Sequence, residues 1–342
     1  MKILIVGEMS GAAKELAKGF KKNGCTLNHI GFGNLFRNIS PEVNLSEYKG
    51  VYGYIDRFFK IYHIFFRQKY DLIIFIRYWK FSEFSILNQI LFSRLREKTN
   101  LLIFWSLSCD KIVRDTFKIS SPLCEPCLIS DKRCVCKYEE SKLIDQELIF
   151  KSYIDIIATG SIEYKEAYDS ANIRNVFIPL GIFIDDSDNT NFNLSNNYIK
   201  VYHSMSNIAY KGSDVFLKAI SNQKLDNKFQ FQVEEKLPLE NHILNIKNSD
   251  VIFDQLYNRS LGMNSLHILK NGKILLCGKL NPEFGDFKLP FITNRDEEGV
   301  LASLNELKDN FNLYKDALHY NYEILQKNHN TTKIATDFLN LI

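Results

Sequence analysis

A lysine placed just before a helix, an aspartate just after an apolar strand, and four closely spaced cysteines are the side chains of this sequence best placed to do chemistry. Residues 199–220 read as a short strand (Ile199, Val201, His203), a polar loop from Ser204 to Gly212, and a helix entered at Ser213 and Asp214. A helix start offers unpaired backbone N–H groups and the positive end of its dipole, so it suits an anion such as phosphate; Lys211 would add a mobile charge. A solvated helix start with a surface lysine produces the same pattern. Asp110 follows the strand at 100–106 and precedes Arg114, which suits either a general base or the N-cap of the next helix. Cys124-Glu-Pro-Cys127 and Cys134-Val-Cys136 can close a tetrahedral thiolate cage around zinc, the alternatives being unligated thiols or a labile disulfide. Four thiolates leave no position for water, so such a zinc would be structural and no catalytic metal is expected.

These groups need a scaffold, and the length of 342 residues suits two domains of about 150 to 180 residues better than one core. The runs at 2–7, 71–77 and 100–106 are almost wholly apolar, as strands of a parallel sheet covered on both faces are, and patterns at 12–22 and 81–96 supply crossover helices. Gly7, Glu8 and Gly11 form the first strand-to-helix turn, spaced differently from GxGxxG, so either a tight turn or a ligand loop fits. Further strands are expected at 26–31, 153–158, 175–181, 229–233, 248–255 and 273–278, with a helix start at Met263 to Ser265. Residues 185–197 are rich in Asp, Asn and Ser and mark a linker, and the region after Glu298 reads as helical to its end.

Hydrophobic residues make up 45% and charged residues 24%, the balance of a soluble globular chain, and a net charge of +3 gives no basic field that demands nucleic acid. No apolar run reaches the ~18 residues of a membrane span, and the start lacks a leader pattern, so a cytoplasmic protein with reduced thiols is expected. Residues 51–70 mix large aromatics with Arg57, Lys60, Arg67 and Lys69. That mixture fits a helix packed on the sheet or one lying on an anionic membrane surface; in the second case changing Phe58, Phe59, Phe65 and Phe66 to serine would release the protein from vesicles.

The loop at 203–212 resembles the "H-x-P-x-x-x-x-K-G" segment that opens the second Rossmann-like half of GT-B glycosyltransferases, with His203, Lys211 and Gly212 in order, one extra residue, and Met205 where proline is common. NSDVIFDQ at 248–255 resembles their "A-D-V-x-x-D-Q" strand. SLGMNSLHILKNG followed by KILLCG is similar to their glycine loop, helix and "G-K-P-V" strand. The segment at Asp110 to Arg114 resembles "G-S-D-x-x-R", and the cysteine-bearing stretch resembles an insertion seen in some polysaccharide enzymes of the group. The chain departs from the pattern at the two glutamates that flank the glycine loop, where it carries Arg259 and His267.

The resemblance implies an α/β GT-B fold, two doubly wound Rossmann-like domains facing a cleft. These would be an acceptor domain at 1–180 with the insertion at 109–136, a linker at 181–198, a nucleotide-sugar domain at 199–322, and a helix at 323–342 crossing back. It implies metal-independent transfer of a hexose from a nucleotide sugar to a hydroxyl of a cell-surface polysaccharide or lipid-linked glycan. Donor contacts would come from His203, Ser204, Lys211, Gly212, Asn264, Ser265, His267 and Glu283. The acceptor side would use Gly7, Glu8, Gly11, Asp110 and Arg114, with Asp110 and Lys211 catalytic. The absent glutamates equally fit a noncatalytic member that binds a glycan or a partner enzyme.

Overall fold

Short apolar runs between glycine-rich turns become parallel strands here, because helices cover both faces of each sheet and leave no polar face to present. The computed structural model describes all residues except 34–37, 77–84, 109, 111, 114–115, 117–146, 148–149, 186, 189, 196–197, 206–207 and 222–227. The chain divides into two units: the described residues through Phe183 together with Thr331–Ile342, and Ile184–Asn330.

In the first unit the strands are β1 (Lys2–Val6), β2 (Thr26–Gly31), β3 (Val43–Asn44), β4 (Tyr70–Phe75), β5 (Thr99–Ser106), β6 (Ile156–Thr159) and β7 (Asn175–Phe177). They lie in the order β3-β2-β1-β4-β5-β6-β7, every pair parallel. Helices α1 (Ala12–Lys22), α2 (Gly50–Arg67), α3 (Ser85–Glu97) and α4 (Ile162–Ser170) connect them. The order reverses between β1 and β4, so the loop after β1, Gly7 to Gly11, opens at a switch point, where such sheets leave a crevice.

The second unit holds β8 (Ile199–Met205), β9 (Phe229–Glu235), β10 (Val251–Phe253), β11 (Ile274–Gly278) and β12 (Phe291–Ile292), in the parallel order β12-β11-β10-β8-β9. Its helices are α5 (Ile208–Lys211), α6 (Ser213–Ile220), α7 (Leu239–Asn248), α8 (Met263–Lys270), α9 (Glu297–Asp309), α10 (Phe311–Asp316) and α11 (Leu318–His329), with a 3-10 turn at Pro282–Phe284. Its switch point lies between β8 and β10. Beneath it Phe216 of α6 stacks on Phe253 of β10 at 4.3 Å between ring centroids, within a core that includes Val201, Leu276 and Leu304.

Three elements differ from the sequence expectation. Val43–Asn44 pairs as a two-residue edge strand, too short to leave a periodic signal. The loop at 204–212 contains one helical turn, α5, ahead of α6. The last helix, expected to run from Leu313 to Ile342, is broken into α10, α11 and α12 (Thr331–Leu339). The second break has a visible cause: Asn330 is extended (φ −69°, ψ 127°), its side chain donates to the Ile184 carbonyl at 3.1 Å, and the Thr331 amide donates to the Ile182 carbonyl at 3.1 Å. The chain thereby leaves the second unit after Asn330, and α12 packs on α1 of the first. Phe338 of α12 reaches Phe20 and Trp105, at 6.3 and 5.3 Å between centroids.

Candidate functional site

Both candidate regions form at the carboxyl ends of parallel strands, where the backbone leaves the sheet with its polar groups unspent. In the second unit β8 runs into Ser204 and α5, Gly212 turns the chain, and α6 begins. Gly212 has φ 69°, and a Cβ there would stand 2.7 to 2.8 Å from atoms of Leu256, so the turn admits only glycine. The Leu256 amide in turn donates to the Lys211 carbonyl at 3.2 Å, stitching the loop after β8 to the loop after β10.

The side chains complete that stitch. Lys211, 4% exposed, donates to the Ser204 carbonyl at 3.0 Å and pairs with Asp254 Oδ1 at 3.0 Å. Asp254 is wholly buried and also accepts from Asn264 Nδ2 at 2.8 Å and, through Oδ2, from the Ser265 hydroxyl at 2.6 Å. Burial alone would push the Asp254 carboxyl up, but the Lys211 charge and the Ser265 and Asn264 donors outweigh it and hold the carboxyl below its ordinary range.

Asn264 extends the chain of bonds. With its amide nitrogen on Asp254, its oxygen accepts from His242 Nε2 of α7, and His242 Nδ1 accepts the Tyr202 hydroxyl at 2.9 Å. His203 stands beside this rail between the Phe216 and Phe253 rings. Its Nδ1 donates to the Phe253 carbonyl at 3.0 Å, which leaves Nε2 to accept the Ser213 hydroxyl at 2.8 Å.

Burial, reinforced by the Lys211 charge, pushes the His203 imidazole down to about 4, against the Phe253 carbonyl and Asp254, which pull the other way. The folded protein therefore keeps His203 neutral where the unfolded chain protonates below about pH 6.5. Its contribution to stability is complete above that pH and is lost as pH falls toward 4, by about 1.4 kcal/mol per pH unit. His203→Gln should flatten the decline in stability between pH 6.5 and 4, measured by urea titration at several pH values. A variant whose deficit is the same at every pH would contradict a neutral buried imidazole.

Of the donor residues expected from sequence, His203, Ser204, Lys211, Gly212, Asn264 and Ser265 thus converge on one buried cluster. The mobile charge expected at Lys211 is instead a fixed, buried one, because Asp254 holds it. Asp254, His242 and Tyr202 were not expected there. An acidic residue ending the apolar run Val251–Phe253 ahead of a glycine loop is a readable signal for Asp254; His242, on a distant helix, leaves none. His267 is half-buried on α8, and Glu283 is exposed on the 3-10 turn, which the Asn281 amide ties to the Arg259 carbonyl at 2.8 Å. The first-turn amides of α8 meet no side-chain cap, since Gly262 precedes them; a Cβ on Gly262 would lie 2.7 Å from the Gln255 amide.

In the first unit Glu8 is buried and belongs to α1: Oε1 accepts the Gly11 amide at 2.8 Å and Oε2 the Lys14 amide at 3.2 Å. Burial raises the Glu8 pKa in spite of those amides. His29 donates from Nε2 to the Gly7 carbonyl at 2.9 Å, and Gly7 and Gly11 both take left-handed φ values, 98° and 95°. The loop is therefore a turn whose helix end is satisfied by its own carboxylate. Asp110 is likewise buried: Oδ1 accepts the Val113 amide at 3.0 Å, and Oδ2 receives the Tyr168 hydroxyl and, at 3.1 Å, Lys151, which also pairs with Glu147 at 2.9 Å. Burial, with Asp110 next to it, pushes the Tyr168 phenol far up, so it acts only as a donor.

Arg114 and Cys124, Cys127, Cys134 and Cys136 lie outside the described residues. Among the described residues no cluster of His, Cys, Asp and Glu could hold a metal ion, and Cys25 and Cys277 are free thiols. No described helix is long and apolar enough to cross a membrane.

No family model and no curated protein sequence matches the chain. Solved structures do resemble it along its whole length. One is Anabaena Alr3699/HepE in complex with UDP and glucose (14% identity, 100% of this chain and 99% of that one, TM-score 0.62). Others are sucrose-phosphate synthase (tll1590) from Thermosynechococcus elongatus (13%, 100% and 98%, TM-score 0.60) and WaaG, a glycosyltransferase involved in lipopolysaccharide biosynthesis (8%, 100% and 99%, TM-score 0.61). At such identities the likeness is one of fold: two parallel sheets of seven and five strands in a GT-B arrangement of the chain.

Proposed function

We propose that the protein is a glycosyltransferase that moves a sugar from a nucleotide sugar to a hydroxyl of a glycan, a cell-surface polysaccharide or a lipid-linked chain. The observation that carries the reading is the Lys211–Asp254 cluster at the switch point of the second sheet, which locks two strand-to-helix loops side by side. In this reading the donor diphosphate meets the amides that open α6 and α8, which offset the negative charge that builds on the leaving group, and Lys211, paired with Asp254 behind them, holds the two loops in place. Helix ends, positioned by that lysine, would supply the stabilisation without a catalytic metal. The similarity to a protein solved with UDP and glucose supports the choice of donor class.

On the acceptor side Asp110 is the proposed orienting carboxylate. A structural zinc on the four clustered cysteines belongs to the same proposal and would read as one zinc equivalent per chain. A second reading has its own observation: Arg259 and His267 stand where the family pattern has glutamates, so the fold could bind glycan or a partner enzyme without turnover.

Melting curves with UDP-, GDP-, dTDP- and CMP-linked sugars test both. A true donor at a hundred times its Kd should stabilise the protein by about 2.7 kcal/mol. Donor hydrolysis or transfer with the same sugar supports the enzyme, stabilisation without turnover supports the binder, and no response to any donor removes the reading.

A further inference from the structure

Helix α2 is an 18-residue element that buries only Gly53, Ile64 and Phe65. Its first three turns turn large side chains to solvent: Tyr52 is 81% exposed, Tyr54 71%, Phe58 64% and Phe59 63%. A helix that merely packed on the sheet would bury such rings, because an exposed aromatic forfeits the stabilisation its burial would give. Next to it α3, which packs against α2, exposes Ile86, Leu87 and Ile90, so the apolar surface continues across two helices.

The charge on this surface is as one-sided as its hydrophobicity. Between residues 47 and 69 stand Lys49, Arg57, Lys60, Arg67 and Lys69 against Glu47 and Asp56, a net +3 that equals the net charge of the whole chain. Both carboxylates are spent on one lysine, Lys60, at 2.7 and 2.8 Å. The arginines lie over aromatic faces, Arg57 4.6 Å from the Tyr54 centroid and Arg67 6.0 Å from that of Tyr62. Phe58, Tyr62 and Phe66 stack in a ladder at 6.2 and 5.4 Å, holding the rings as a pre-ordered ridge.

A ridge of aromatic rings fringed by cations matches a bilayer surface, in which rings enter the headgroup boundary and cations meet anionic lipid. A second copy of this chain would bring the same positive charge against itself, which disfavours that occupant. We propose that the α2 ridge, extended by α3, docks the first unit on an anionic lipid bilayer. This goes beyond the transfer reading and does not need it, since partition onto lipid involves no donor.

The sequence expectation placed Phe65 among the docking rings. The structure gives it to the core at 1% exposure, so a serine there would test folding instead.

The experiment is cosedimentation of the full chain with vesicles of phosphatidylcholine alone and with 30% phosphatidylglycerol added, beside analytical ultracentrifugation without lipid. The wild type should pellet with the anionic vesicles, more weakly with neutral ones, and lose binding as salt rises. Phe58→Ser with Phe59→Ser should lower the partition coefficient about a hundred-fold, and Arg57→Gln about five-fold on anionic vesicles only. An unchanged melting temperature shows that each variant is folded, as expected for exposed positions; Arg67→Gln replaces Arg57→Gln should the latter melt lower. Equal binding by wild type and the double serine variant, no binding to either vesicle, or a dimer that the serines dissociate without any lipid partition would each overturn the proposal.

Discussion

Asp254→Ala should destabilise the second unit by about 3 to 5 kcal/mol, the cost of leaving a buried charge without its partner. Lys211 has no route to solvent at 4% exposure, and it loses the carboxylate 3.0 Å away, while Asn264 and Ser265 lose their shared acceptor. For a unit of this size the drop corresponds to a fall in melting temperature of about 10 °C or more. Lys211→Met should cost less, because the carboxylate keeps its Asn264 and Ser265 donors, and the double variant Lys211→Met with Asp254→Ala should recover part of the loss. Denaturant titration of the four proteins gives the coupling energy.

The pH dependence has a definite sign. A carboxyl held below its unfolded value of about 3.9 contributes stability that is present above that pH and is lost as pH falls through the folded value. A loss below about 1 kcal/mol for Asp254→Ala would mean that the pair does not hold the two loops. That result would also remove the support it gives to donor binding.

Gly19→Ala should lower stability by about 2 kcal/mol, although the same change in an open helix raises it by roughly 1 kcal/mol. Gly19 lies inside α1 where α12 crosses. A Cβ there would stand 2.1 Å from the Thr331 carbonyl oxygen and 2.4 Å from its carbon, both backbone atoms that cannot rotate aside. The helices must part, and the contacts of Phe338 with Phe20 and Trp105 open with them. Stability from urea titration and the rate at which carboxypeptidase trims the chain should both register the change. A more stable variant would show that α12 has room to spare.

Much of the scaffold was legible because parallel strands must be apolar on both faces. Ile3, Leu4 and Ile5, or Leu72, Ile73 and Ile74, declare themselves with no periodicity to resolve. The loop residues from His203 to Gly212 and the pair Asn264 and Ser265 were legible for a related reason: they sit where strands end and helices begin. What could not be read was which of them face one another. Asp254 organises them from a different loop, and His242 joins through Tyr202 across the sheet, a pairing set by tertiary packing alone.

Glu8 and Asp110 show the opposite case. Their positions suggested reactivity, and the fold adds a local role: Glu8 accepts the Gly11 and Lys14 amides and Asp110 the Val113 amide. The aromatic helix was ambiguous in sequence because Phe58 and Phe65 are the same residue type; only the fold sends one outward and the other into the core.

The break at Asn330 also sets a timetable for biosynthesis. Because Thr331–Leu339 completes the packing around Phe20 and Trp105, the amino-terminal unit emerges from the ribosome with that seam open and cannot close it until residues 331–339 have also been made. The carboxy-terminal unit can mature first, reversing the usual vectorial order, and a nascent chain stalled before residue 331 would present an unfinished hydrophobic surface to chaperones.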